Sequence, residues 1–242
     1  MLLVCLGLGL VLGRLTAPDE APEAAAPATA DGAATVETEV LGAVEPPVGG
    51  VMTPASVDHL VVVSVSVTTC GERATGTGVL VAENRILTAA HNVGDAGLVR
   101  ISHGAQVFTG EVLGVFADGR DLAVIELPAP LAAPVAAAPD PATGAPVTVV
   151  GFPEGGSRAS VVGPAVDVPD LAARLWAGPL GAVDAVTQAG MSGGPAVDAA
   201  GNLVGVLVAA QPETGTAVIA AMDDVAAAFA APLVDGRCPT SA

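Results

Sequence analysis

Residues 75–91 read TGTGVLVAENRILTAAH, and this stretch decides the fold. Two strand-like runs, Thr75–Ala82 and Arg85–Thr88, flank a polar Glu83-Asn84 pair. β-Branched and apolar side chains suit a pleated surface, and a short polar break between two such runs marks a turn. The second run leads into Ala89-Ala90-His91, so a histidine emerges at a strand edge. The pattern continues outward. His59–Thr68 (HLVVVSVSVT) lies upstream. Downstream come Gly97–Ser102, Gln106–Phe116, Leu122–Leu127, Pro146–Gly151 and Ser160–Val168. Ala182–Gln188, Pro195–Asp198, Leu203–Ala209 and Thr216–Ala221 complete the series. Short runs separated by Gly, Pro, Asn and Asp indicate an all-β barrel or sandwich. Met222–Ala231 is Ala-rich and opens near Asp223 and Asp224, which suit the positive end of a helix dipole, so a short C-terminal helix is expected there.

Composition narrows the function. Aromatic residues make up 2% of the 242, so the core must be built from Val, Leu, Ile and Ala. Eight basic residues, all Arg, oppose 25 acidic ones, for a formal charge of −17. Such a chain has no cationic footprint for phosphates, which argues against nucleic-acid partners and anionic membrane surfaces. The histidines are scattered, and no Cys/His cluster has ligand spacing, so no metal is expected. No Gly-rich segment has the strand-to-helix context of a nucleotide site, so no organic cofactor is expected either.

Three regions follow from the pattern. Residues 1–16 contain an unbroken apolar run, Leu2–Gly13, followed by Arg14. It is short for a span of roughly 20 residues and reads as a signal peptide or signal anchor. Residues 17–55 are rich in Ala, Pro, Thr and acidic side chains and read as a disordered linker, having too little bulky apolar surface to offset ordering entropy. Residues 56–242 are the folded domain. This arrangement predicts an exported protein, secreted or anchored outside the cytoplasmic membrane. Cys5 lies in the apolar run, while Cys70 and Cys238 sit near the two ends of the folded part. In an exported domain that pair reads as a disulfide or as two unrelated buried thiols, and spacing alone does not choose.

Three motifs carry chemistry: Leu87-Thr88-Ala89-Ala90-His91, Asp121-Leu122-Ala123-Val124-Ile125, and Gly190-Met191-Ser192-Gly193-Gly194-Pro195. A serine hydroxyl is a poor nucleophile until an imidazole takes its proton, and a carboxylate fixes the tautomer of that imidazole. The motifs together, in the order His, Asp, Ser, resemble the trypsin-like (chymotrypsin-fold) serine proteases. The gaps of 30 and 71 residues look like those of the bacterial HtrA/Deg branch and the actinobacterial periplasmic acid-resistance proteases. Gly76-Thr77-Gly78-Val79-Leu80 matches the Gly-rich strand these enzymes carry ahead of the histidine.

The resemblance implies two six-stranded antiparallel β-barrels and a triad of His91, Asp121 and Ser192. It implies an oxyanion hole from the backbone N–H groups of Gly190 and Ser192. It places the substrate pocket at Val186, Thr187, Val208, Ala209 and Ala210, with a small or medium apolar P1 preference. Leu207 stands where glutamate-specific relatives have a histidine. The Cys70 and Cys238 positions look like the disulfide of the membrane-tethered actinobacterial enzymes. Two departures stand out. Only about 50 residues follow Ser192, which leaves no room for a PDZ domain. Met191 replaces the Asp or Asn common before the nucleophile. His59 and His103 lack the surrounding motif and read as structural or exposed. The expected activity is that of a serine endopeptidase acting as a monomer on polypeptides. The rival reading is a catalytically latent, protease-fold binding or regulatory module.

Overall fold

The computed structural model describes residues 54–69, 71–175, 177–211, 214–222 and 232–236. Cys5, Cys70, Cys238, the N-terminal regions to residue 53 and the expected helix beyond Met222 lie outside the described residues.

The first barrel contains β1 (Val62–Thr69), β2 (Glu72–Ala82), β3 (Arg85–Ala89), β4 (Leu98–His103), β5 (Gln106–Phe116) and β6 (Leu122–Glu126). Its strands run β5-β4-β1-β2-β3-β6, and pairing of β5 with β6 closes the ring. The second barrel is closed in the order β10-β11-β12-β9-β8-β7. Its strands are β7 (Pro146–Gly151), β8 (Ala159–Val166), β9 (Leu180–Asp184), β10 (Pro195–Val197), β11 (Leu203–Gln211) and β12 (Thr216–Ala221). All strand pairs within the two barrels are antiparallel. The all-β, two-barrel expectation therefore holds, and each expected run contains a strand.

The near-continuous apolar runs have a structural cause. Val79, Val81, Leu87, Leu122 and Val124 of the first barrel pack with Leu203, Val206, Val208, Val218 and Ala220 of the second. The alternate residues Leu80, Ile86, Ala123 and Ile125 fill the first barrel. Val204, Leu207, Ala217 and Ile219 fill the second. Strands at the junction thus bury both faces, one in a lumen and one against the other barrel, so they show no polar alternation.

Several elements depart from the expected pattern. β9 ends at Asp184 rather than running to Gln188, which frees residues 185–188 from the sheet. Two short helices appear, α1 (Ala90–Val93) and α2 (Asp170–Leu175). A two-residue strand, β13 (Leu233–Val234), pairs with β5 at Phe116 and Val115. Runs this short carry too little periodicity to be read locally.

Candidate active site

Strand register brings His91 to Asp121. β3 pairs with β6 so that Ala89 faces Leu122. The Ala90 N–H then donates to the Asp121 carbonyl at 3.1 Å, continuing the pairing by one residue. α1 begins there and lifts His91 off the barrel. The His91 backbone N–H donates to Asp121 Oδ1 at 3.0 Å. Oδ2 of the same carboxylate lies 2.6 Å from His91 Nδ1. With Asp121 ionised, that contact needs the proton on Nδ1, which leaves the Nε2 lone pair to act as a base. Nearby, Arg120 bonds Asp118 at 2.8 Å and lies 5.0 Å from the centre of the Phe116 ring. Burial raises the Asp118 carboxyl, but hydrogen bonds and charge from Arg120 outweigh it and leave the group below its ordinary value.

The nucleophile loop is held differently. The Ala189 carbonyl accepts from the Glu154 N–H at 2.7 Å, and the Met191 carbonyl accepts from the Gly194 N–H at 2.9 Å. A trans peptide points its C=O and N–H in opposite directions. Fixing those two carbonyls therefore aims the Gly190 and Ser192 N–H groups the other way. Among the described residues, neither of these N–H groups has a hydrogen-bond acceptor. The intervening carbonyls are taken by the first barrel. Thr77 Oγ1 donates to the Gly190 carbonyl at 2.7 Å. The Ser192 carbonyl accepts from the Thr77 N–H at 2.8 Å and from Asn92 Nδ2 at 2.8 Å.

Glycine is needed at 190. Its φ is +89°, and a Cβ there would stand 2.6 Å from both Glu154 N and Phe152 O. Met191, where an Asp or Asn would be usual, is 1% exposed and packs in the second-barrel core against Val149 and Leu207. An apolar anchor thus replaces a polar one. Ser192 is half-buried. Among the described residues no hydrogen bond joins its Oγ to His91, although Asn92, next to His91, grips its carbonyl. Catalytic hydrogen bonds are commonly long in unliganded sites and tighten on substrate binding.

The expected pocket residues separate into two groups. Val186, Thr187 and Ala210 line a cavity of about 120 Å3 together with Ala185, Gln211 and Thr216. Val208 is 3% exposed, and it packs, with half-buried Ala209 against it, in the core between the barrels. The cause is a register shift in β11 between Leu207 and Ala209, which changes the face that each following residue presents. A second, larger cavity of about 460 Å3 lies beside His91 and Asp121, walled by Val115, Val234 and Asp235. His59 bonds the Gly201 carbonyl at 3.2 Å, which fits a structural role.

Sequence reading missed Thr77, Asn92 and Glu154. Thr77 and Asn92 are buried polar side chains, and Thr77 sits inside the Gly-rich strand motif, which was the available signal. Glu154 is the one non-glycine residue with positive φ among the described residues, at 52°, and nothing local announces that.

Two six-stranded barrels, with a His–Asp pair on the first and a Gly-Met-Ser-Gly-Gly loop that is bonded to the first through Thr77 and Asn92, define the chymotrypsin-like architecture. The chain belongs to the trypsin-like peptidase domain family, whose model matches residues 76–206. The Rv3671c protease from M. tuberculosis, in its active form, is 27% identical over 73% of this chain and 85% of that one, with a TM-score of 0.61. The serine endoprotease from Yersinia pestis is 22% identical over 70% of this chain and 60% of that one, with a TM-score of 0.59. The HtrA-type protease AlgW, solved with a tripeptide, is 23% identical over 67% and 56%, with a TM-score of 0.60. These last two likenesses speak to the fold. Among curated proteins no sequence matches the chain.

Proposed function

We propose that this chain is a serine endopeptidase with His91, Asp121 and Ser192 as its triad. Ser192 Oγ attacks the scissile carbonyl while His91 Nε2 takes its proton. The tetrahedral intermediate collapses to an acyl-enzyme, and His91 returns the proton to the leaving amine. Water then repeats the cycle and releases the acid. Asp121 holds the imidazole and stabilises its charged form. The N–H groups of Gly190 and Ser192 receive the oxyanion.

The observation that carries this reading is the pair of free N–H groups, aimed by the hydrogen-bonded carbonyls of Ala189 and Met191. The cavity of about 120 Å3 at Val186, Thr187 and Ala210 suits a small or medium P1 side chain. The sequence of residues 1–55 supports an exported domain carried on a flexible spacer, with Cys70 and Cys238 joined as a disulfide in the oxidising compartment.

A fluorophosphonate probe with mass mapping tests the proposal. A stoichiometric adduct on Ser192, absent in Ser192→Ala, establishes the activated nucleophile. The second reading is the latent, binding-module one. Absence of any adduct on the well-folded chain would establish that one.

A further inference from the structure

Residues 232–236 return to the first barrel as a strap along β5. Leu233 lies opposite Phe116 and Val234 opposite Val115, and the Pro232 carbonyl accepts from the Ala117 N–H at 3.0 Å. Gly114 of β5 permits the approach. A Cβ there would stand 2.8 Å from the Val234 carbonyl oxygen and 3.0 Å from the Leu233 Cβ. Three successive strap residues are thus held on β5. Two positions further on, Gly236 lies flat against Gly94. A Cβ at Gly236 would overlap the Gly94 carbonyl oxygen and come 3.5 Å from Val115 Cγ1. Gly236 is not among the glycines with positive φ, so space rather than backbone conformation calls for glycine there.

Gly94 belongs to the turn that carries the histidine. It is the C-cap of α1, and its N–H donates to the Ala90 carbonyl at 3.0 Å. α1 is four residues long, and His91 is the second of them. The peptide after Gly94 is fixed as well, because the Asp95 N–H donates to Thr69 Oγ1 at 3.1 Å. A trans peptide points its C=O and N–H in opposite directions, so the Gly94 carbonyl is turned away from Thr69. It is this carbonyl that the strap meets at Gly236. The same turn holds His91 to Asp121 through the 3.0 Å and 2.6 Å contacts. Among the described residues no hydrogen bond or ion pair joins the strap to the His91 side chain. The described contact runs through the Gly94 backbone.

We infer that Gly236 is a positioning residue for His91: its missing side chain lets the strap seat against the end of α1 and so sets the imidazole in the triad. The inference rests on the endopeptidase reading and deepens it. A side chain at 236 must displace either the strap or Gly94. The strap has little freedom to step back, being paired with β5 and bonded to it at Ala117. The push therefore falls on Gly94. α1 is a single turn, so its C-cap and its histidine move together. A misplacement of about 1 Å caused far from the chemistry can cost about 100-fold in rate.

Gly236→Ala in the whole chain tests this, beside Gly97→Ala, where a Cβ would meet nothing within 4 Å. Two properties are measured: the maximal rate and half-saturation of fluorophosphonate labelling at Ser192, and the proton resonance of the His91–Asp121 hydrogen bond. In Gly236→Ala the maximal rate is expected to fall about 10- to 100-fold with little change in half-saturation, and the resonance to shift or broaden. Gly97→Ala should match the wild type in both. A merely structural role would lower the melting temperature and leave the resonance in place. A folded Gly236→Ala with the wild-type rate, or with an unmoved resonance, overturns the inference. So does an equal effect from Gly97→Ala. Should Gly236→Ala not fold, Leu233→Ala is measured in its place, since it loosens the strap from β5 without adding an atom at 236. It must slow labelling and move the resonance, and a folded Leu233→Ala that does neither overturns the inference. A folded wild type that does not label overturns the endopeptidase reading alone, because the resonance still reports whether Gly236 sets the His91–Asp121 pair.

Discussion

The two halves of the site are secured by different kinds of contact. His91 and Asp121 are joined within one sheet. The β3–β6 register sets them side by side, and the carboxylate binds both the ring and the backbone of the same histidine. The Ser192 loop is secured from three separate places: Thr77 and Asn92 in the first barrel, the turn at Glu154, and its own Gly194. The first half depends on one hairpin-like pairing. The second depends on the two barrels being docked. If the proposed roles hold, a local fault should silence the His91–Asp121 half without disturbing the fold, whereas the Ser192 half can be detuned by groups that never touch substrate.

The strongest test of the contrast is Asp121→Asn. It keeps the shape but loses the charge that dictates the His91 tautomer. A fall in kcat/KM of about 10^4-fold is expected, with an unchanged circular dichroism spectrum. A loss of folded structure instead would mean that the pair is part of the barrel's integrity, and the contrast would fail.

Thr77→Val probes the other half with a smaller effect. The variant keeps the backbone N–H to Ser192 but leaves the Gly190 carbonyl and the Phe152 N–H without their hydroxyl partner. One such loss is worth about 1–3 kcal/mol, or about 5- to 150-fold. The expected loss falls on kcat with little change in KM, and Thr77→Ser restores it. Full activity in Thr77→Val would show that Glu154 and Gly194 suffice to aim the two N–H groups.

The smallest effect belongs to the loop that leads into Asp121. Arg120 holds the Asp118 carboxyl below its ordinary value of 3.8 despite the opposing effect of burial. A depressed pKa stabilises the fold above the unfolded value, and that stability is lost as pH falls through the folded value. The Asp118 side chain is 44% exposed, so solvent screening keeps the contribution to a fraction of about 1 kcal/mol. Asp118→Asn should lower the melting temperature slightly at neutral pH, and the difference should shrink as the pH falls through the folded value of Asp118. A difference that persists in acid would assign the effect to packing around Phe116 rather than to the ion pair.

Much of this was legible before the structure. Twelve β-branched or apolar runs, the turns between them and the three motifs were all local signals, because strand propensity and turn chemistry act over a few residues. The missed features share a different property. Thr77 reaches Gly190 across 113 positions and Asn92 reaches Ser192 across 100. The register shift that turns Val208 and Ala209 into the core arises from pairing with β12, not from anything in β11 alone. β13 is two residues long and exists only because Phe116 and Val115 offer an edge.

The sequence by itself determined that the chain folds as an all-β, two-barrel member of the trypsin-like family, and it put forward His91, Asp121 and Ser192 as the proposed triad. Only the tertiary structure decided which backbone N–H groups are left free and where β9 stops. The physical reason is the range of the forces. Propensity and motif chemistry are written in neighbouring residues, but the direction of a peptide group is set by whatever donor lies against its carbonyl. In this protein those donors come from the turn at Glu154, from the opposite barrel, and from the loop itself.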